Sequence, residues 1–301
     1  SAPLMRSGAK VRVQQVRCTG AGSIATEAEL QALVEESSGK ELGFAELQAI
    51  AARVTAYLRE KKGYLLARAY LPKQDVTAGT VEIAIVSGRI DGRPKVILKQ
   101  PARIRQSLLD SIAGRAMPEG SPAMMEKIER GTLLISDLPG MQANASLEPG
   151  STPGSTALVI NASEGSIISG SVGGDNFGDR YTGAWRGIGT ISLNDPFGLG
   201  DQLTLSMTGA ENMYQGKASY TVPLASTGVS LSLAYNGLYY KLGSDMASLN
   251  ANGRADTISA NLSYPIIRTR NLSLWAGMGL EYMLMRDNAN NSLSKDRDIP
   301  V

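Results

Sequence analysis

The spacing of apolar positions changes near residue 165. Before it, runs with helical spacing alternate with short strand-like runs. After it, a period of two dominates. Val11, Val13 and Val16 predict a short opening strand. Thr26 with Glu29 three residues on has the form of a capping box, and Leu30, Leu33 and Val34 share one face of the helix that follows. Phe44, Leu47, Ile50, Val54 and Leu58 give a second, clearer helical stripe opposite Glu46, Arg53 and Arg59. Lys62-Gly63 ends that helix, because glycine takes the left-handed cap conformation at little cost. Tyr64 to Leu71 predicts a strand closed by Pro72. A turn around Gln74–Gly79 leads to Thr80–Val86, where Val81, Ile83 and Ile85 share a face. The order over residues 1–91 is strand, helix, helix, strand, strand.

Residues 92–164 repeat that order. Val96-Ile97-Leu98 is the strand, and Ile104, Leu108, Leu109 and Ile112 form the first helical face. Met124 to Ile135 supplies the second helix, with Ile128 and Leu134 inward. Met141–Leu147 and Thr156–Asn161 predict paired strands around a Pro-Gly loop, Glu148–Gly154. Two such units in succession are an internal repeat of roughly 75 residues. The plainer alternative, one mixed α+β enzyme domain, lacks a catalytic constellation to support it.

From residue 165 to 301 the alternation is persistent. Leu272, Leu274, Ala276, Met278, Leu280, Tyr282 and Leu284 interleave with mostly small or polar residues, Trp275 and Met283 excepted. Val229–Gly237, Ile258–Tyr264 and Leu203–Met207 behave alike. Such strands have one apolar and one polar face. A soluble sandwich also alternates, but three features favour a membrane barrel. The strands are long enough to cross. Their polar faces are rich in Ser, Thr, Asn and Gly rather than Lys and Glu. Tyr181, Tyr214, Tyr220, Tyr235, Tyr239, Tyr264 and Tyr282 recur near strand ends, as in an interfacial girdle. About seven strands are predicted, near 166–174, 181–194, 201–210, 213–223, 227–238, 255–265 and 270–286. Single-chain bacterial barrels use an even number from eight upward, so these strands are expected to be the first part of an incomplete barrel. The fold class is therefore α+β followed by all-β.

Composition narrows the chemistry. With 30 Lys+Arg against 28 Asp+Glu, no strong field points to nucleic acid. No run has the ~18 apolar residues of a spanning helix, and no charged-then-apolar signal pattern opens the sequence. There is no histidine and one cysteine, which removes Ser-His-Asp and Cys-His triads and Cys/His metal sites. Cys18 reads as a small core residue. Gly170–Gly178 lacks the Gly-Lys-Ser/Thr ending of a phosphate loop and reads as strand and turn. Gly183, Gly187 and Gly189 are expected in one strand, giving room for curvature or a neighbour. Arg103, Arg105 and Arg115 read as a solvated helix face. Asp175, Asp179, Asp195 and Asp201 suit backbone bonding in turns, so no metal or cofactor is assigned.

Several stretches in order resemble one family, the two-partner secretion transporters of the haemolysin-activator and haemagglutinin-transporter type in the Omp85 superfamily. Lys62-Gly63-Tyr64 with Arg68-Ala69-Tyr70-Leu71-Pro72-Lys73-Gln74-Asp75 resembles the signature of a first POTRA domain, closed by Val81-Glu82-Ile83 and Ser87-Gly88-Arg89-Ile90. Glu129-Arg130, Asp137-Leu138-Pro139-Gly140 and Leu147-Glu148-Pro149-Gly150 resemble a second. Gly174-Asp175-Asn176-Phe177-Gly178, Thr182-Gly183, Asn194 to Asp201 and Tyr220-Thr221-Val222-Pro223-Leu224 resemble the first barrel hairpins. The resemblance implies POTRA domains over 1–91 and 92–164, placed in the periplasm, and barrel strands over 165–301 in the bacterial outer membrane. It implies a translocator without catalysis, with outer-membrane lipid around it. Its expected partner is an extended secreted exoprotein of haemolysin, haemagglutinin or adhesin type. The family's plug helix and its barrel-entering loop with an Arg-Gly-Tyr tip would lie outside 1–301.

If the family fold holds, the strand near Tyr64–Leu71 lies at a sheet edge. Its main chain, at Tyr64, Leu65, Leu66, Ala67, Arg68, Ala69, Tyr70 and Leu71, is then the expected partner-binding edge. Leu65, Ala67 and Ala69 also suit a core face, and a groove between the two POTRA units is the competing site. A barrel-assembly factor, a soluble binding module with a β-sandwich tail, and a barrel esterase or protease are the other functional classes.

Overall fold

The computed structural model describes residues 10–151, 155–289 and 292–300. Residues 152–154 of the expected Pro-Gly loop lie outside that range. The chain divides into two compact units. One holds 1–94, 117–129 and 147–159; the other holds 95–116, 130–146 and 160–301. The division runs through the second α/β repeat.

The opening strand is broken in two. β1 (Lys10–Arg12) pairs antiparallel with a short β3 (Glu41–Gly43), whereas β2 (Gln15–Thr19) pairs parallel with β5 (Thr80–Val86). Between them Val13 is buried, and its amide donates to the Lys40 carbonyl. α1 (Glu27–Val34) starts on the expected capping box. Thr26 Oγ1 accepts the Glu29 amide at 3.3 Å, and Glu29 Oε2 accepts the Thr26 amide at 2.9 Å. α2 (Phe44–Ala56) buries Leu47, Ile50, Ala51 and Val54, close to the predicted stripe. It widens into a five-residue turn, Tyr57–Lys61, in which Lys62 N–H donates to the Tyr57 carbonyl five residues back. Gly63, at φ +74°, then reverses the chain, and Tyr64 N–H closes the cap on Leu58. β4 (Arg68–Tyr70) completes a sheet of order β2-β5-β4. The core of this fold gathers Val16, Leu30, Val54, Leu58, Ile83 and their neighbours, with Cys18 half-buried against it.

The repeat follows as β6 (Lys95–Lys99), α3 (Gln106–Ala116), α4 (Met125–Ser136), β7 (Met141–Pro149) and β8 (Thr156–Glu164), with sheet order β6-β8-β7. Arg103 and Arg105 precede α3 rather than lying on it. Arg103 pairs with the buried Glu164 carboxylate at 2.5 Å, so it is not part of a solvated helix face.

Eight antiparallel strands form the last sheet, in order of sequence. They are β9 (Ile168–Asp175), β10 (Arg186–Asn194), β11 (Gln202–Ala210), β12 (Met213–Pro223), β13 (Ser230–Lys241), β14 (Asn252–Arg268), β15 (Ser273–Ala289) and β16 (Ser292–Pro300). Sequence patterning predicts about seven; β16 is the addition. β10 begins at Arg186 rather than near 181, because Asp179–Ala184 folds as a turn closed by the Gly183 and Thr182 amides on Asp179. Gly183 therefore stands in a loop, and only Gly187 and Gly189 share a strand. Among the described residues β9 and β16 do not pair with each other, and the sheet stays open.

Candidate functional site

Two features carry chemistry: the edge of the first sheet and the two faces of the eight-stranded sheet. β4 is an edge strand, as expected, but it is only Arg68–Tyr70. The predicted strand begins four residues too early. Tyr64 forms an isolated bridge to Met124, Leu65 N–H donates to the Ala123 carbonyl at 2.9 Å, and Ala67 N–H turns back to Tyr64 at 3.0 Å. Gly63 forces this geometry: after a left-handed residue the chain leaves the helix sharply and cannot enter the ladder at once.

The remaining edge is also partly occupied. Ala67 and Ala69 point into the core, whereas Arg68 and Tyr70 are exposed. Ala69 N–H donates to Thr55 Oγ1 at 2.9 Å, and the Ala67 carbonyl accepts Arg59 Nε at 2.8 Å. Between α2 and β4 runs an open groove of about 1050 Å³. Phe44, Thr55, Arg59, Arg68, Tyr70 and Arg89 are among its walls, with Leu66 and Leu71. The sequence reading missed Thr55 and Arg59. A threonine inside a helix was the available signal, since its hydroxyl invites a local main-chain bond.

The registers of the large sheet sort its residues into two rows. Val172 stands opposite Gly189, Ile191 opposite Leu205, and Leu205 opposite Ala218. Tyr220 faces Leu233, Tyr235 faces Ile258, Leu262 faces Met278 and Ala260 faces Leu280. These share one face, and it is bare: Val172 is 91% exposed, Met278 71% and Leu280 74%. The other face is a polar ladder. Thr190 bonds Ser206 at 3.1 Å, Ser192 bonds Thr204 at 3.0 Å, Gln215 donates to Asn236 at 2.9 Å and Thr221 donates to Ser232 at 2.9 Å. On β14 the apolar row runs from Ile258 to Ile266, about 26 Å at ~3.3 Å per residue, close to the apolar band of a membrane barrel. Arg254 and Asp256, joined to Tyr235 by hydrogen bonds, end the row on one side. No helix among the described residues is long and apolar enough to cross a membrane.

The turn Asp195–Asp201, between β10 and β11, holds two buried carboxyls. Asp195 Oδ1 accepts the Gly200 amide at 2.6 Å, and Asp201 Oδ2 accepts the Tyr220 hydroxyl at 2.9 Å. Burial, with Glu164 and Asp201 nearby, pushes the Asp195 carboxyl up to about 6 against the opposing Gly200 bond. Asp175 and Asp179 likewise accept amides of their own turns, from Phe177 and Tyr181.

A sheet with one bare apolar face and one polar ladder, preceded by two β-α-α-β-β folds, defines an outer-membrane barrel protein with periplasmic POTRA domains. Known proteins agree. Residues 11–88 match the POTRA domain of ShlB type, and residues 154–296 match the haemolysin secretion/activation protein family ShlB/FhaC/HecB. The heme/hemopexin transporter protein HuxB of Haemophilus influenzae is 26% identical over 261 residues, 86% of this chain and 46% of HuxB. The outer membrane transporter CdiB of Escherichia coli is 25% identical over 291 residues, 93% of this chain and 47% of CdiB. The solved structure of CdiB from Escherichia coli superposes with a TM-score of 0.74 at 22% identity, covering 97% of this chain and 55% of that one. With the two family matches together spanning most of its length, the chain belongs to the ShlB/FhaC/HecB family of haemolysin secretion/activation proteins. It spans about half the length of the curated relatives it matches.

Proposed function

We propose that the whole protein is an outer-membrane translocator that receives an unfolded secreted partner through POTRA domains, at 1–91 and 92–164, and passes it through the lumen of the barrel begun at residue 165. The observation that carries this is the pairing of a bare apolar row with a polar row of Ser, Thr, Asn and Gln along the same strands. One row suits hydrocarbon and the other a wet passage that offers a moving chain nothing to hold it. The open edges at β9 and β16 would each leave main-chain groups unpaired in lipid, so closing the barrel takes further strands. The client is an extended exoprotein, and it adds to the edge that contains Arg68–Leu71 with main-chain hydrogen bonds and little sequence demand. Weak, sequence-tolerant contacts suit a site that must release what it binds.

The test is export. The full-length protein is expressed with a candidate secreted exoprotein from the same organism in a host lacking both, and the medium is assayed. Partner in the medium only when both are present supports the reading. Partner retained in the periplasm, with other barrel proteins now better inserted, favours an assembly factor instead.

A further inference from the structure

The edge assigned to the client is not idle in the free protein, and the inference here rests on the translocator reading. Ala69 stands opposite Ile85 in the β4–β5 ladder, yet its N–H goes to Thr55 Oγ1 at 2.9 Å. Its main chain therefore faces away from β5, toward the edge where a client strand would lie. Two residues nearer the N-terminus, the Ala67 carbonyl holds Arg59 Nε at 2.8 Å. Thr55, on α2, and Arg59, in the wider turn that extends it, both line the groove. The Thr55 hydroxyl also donates, shared between the Ala51 carbonyl at 3.0 Å and the Ala69 carbonyl at 3.3 Å. Arg59, Arg68 and Arg89 against Glu60 leave the groove wall predominantly basic.

We propose that client binding is an exchange. An extended client strand displaces the Thr55 hydroxyl from Ala69 N–H and the Arg59 guanidinium from the Ala67 carbonyl. The freed Arg59, with Arg68 and Arg89, then pairs with acidic side chains of the client. Each main-chain bond gained replaces one given up, which keeps the complex weak and reversible. The same caps blunt the edge against unwanted pairing when no client is present.

The test uses the full-length protein in detergent and two labelled decapeptides, one alternating Val and Glu, the other Val and Lys. Fluorescence anisotropy reads affinity, and hydrogen exchange reads the Ala69 amide. Thr55→Val keeps the shape and removes the acceptor from the free state only. It is expected to bind the Val-Glu peptide about three- to tenfold more tightly, the worth of one net hydrogen bond. Its Ala69 amide exchanges faster until the peptide is added, whereas Thr55→Ser behaves as the native protein. Arg59→Met narrows the preference for the Val-Glu peptide over the Val-Lys one. Unchanged affinity in Thr55→Val with a faster Ala69 amide overturns the exchange, as does equal native affinity for both peptides. The export assay reads the translocator role separately, so a transporter that exports normally while these binding results fail loses only the exchange.

Discussion

Glu29 joins two parts of the first fold: its carboxylate closes the α1 capping box and takes the Lys62 ammonium at 2.7 Å beyond the end of α2. The Lys62 bond first, then the Thr26 amide and hydroxyl, hold its pKa down to about 2. A depressed carboxylate stabilises the fold above its unfolded pKa, about 4.3, and loses that contribution as pH falls toward 2. The amides of Leu30 and Ala32, corrected for intrinsic rate, should therefore lose protection between about pH 4.5 and 2, and Glu29→Gln should flatten that loss. Asp195 has the opposite sign. A carboxyl raised to about 6 holds its proton more tightly in the fold, so its turn is most secure in acid and weakens as pH rises through 6. Asp195→Asn keeps the acceptor for Gly200 and substitutes an amide for the proton. It should stabilise the full-length protein by roughly 1–2 kcal/mol at pH 7.5 and little at pH 4, read as the temperature at which the folded band is lost on gels.

At the level of elements, α4 and the end of β14 make a joint that residue patterning does not reveal. Arg268 forks onto Asp137 at 2.6 and 2.8 Å, and Arg130 donates to the Pro265 carbonyl at 2.8 Å beside the β14 bulge. Arg268→Glu should loosen this joint, and the swap Asp137→Arg with Arg268→Asp should restore it. Spin-label distances between Ser111 and Ser226 would broaden in the single variant and narrow again in the double one. The helices and most strands were legible because their apolar periods are long, as in Phe44–Leu58 or Leu272–Leu284. β16 was not, because Leu293 is followed by Lys295, Asp296, Arg297 and Asp298, a charge run that reads as loop; its ladder with β15 is made by main chain. β4 was overextended because Tyr64–Ala67 is apolar enough for a strand, while the geometry after Gly63 makes it a turn. The caps at Thr55 and Arg59 bind main-chain groups beyond the helix, at Ala69 and Ala67, and apart from the threonine inside a helix no side-chain pattern marks them.

For the whole molecule, the two faces of the large sheet decide the reading. Met278 on the bare row and Ser259 on the polar row sit on neighbouring strands with opposite surroundings. Met278→Arg should cost about 2–4 kcal/mol of membrane stability, seen as a lower urea midpoint for the full-length protein in lipid. Ser259→Arg should leave that midpoint nearly unchanged and alter ion conductance instead.

The most direct measurement follows from the same alternation. Single spin labels placed at each position from 258 to 263, in the full-length protein in lipid bilayers, are tested for collision with oxygen and with a water-soluble nickel chelate. The account predicts a period of two: oxygen reaches 258, 260 and 262, and nickel reaches 259, 261 and 263. Labels at 258, 260 and 262 shielded from both reagents would mean that protein covers the apolar row, and would contradict it.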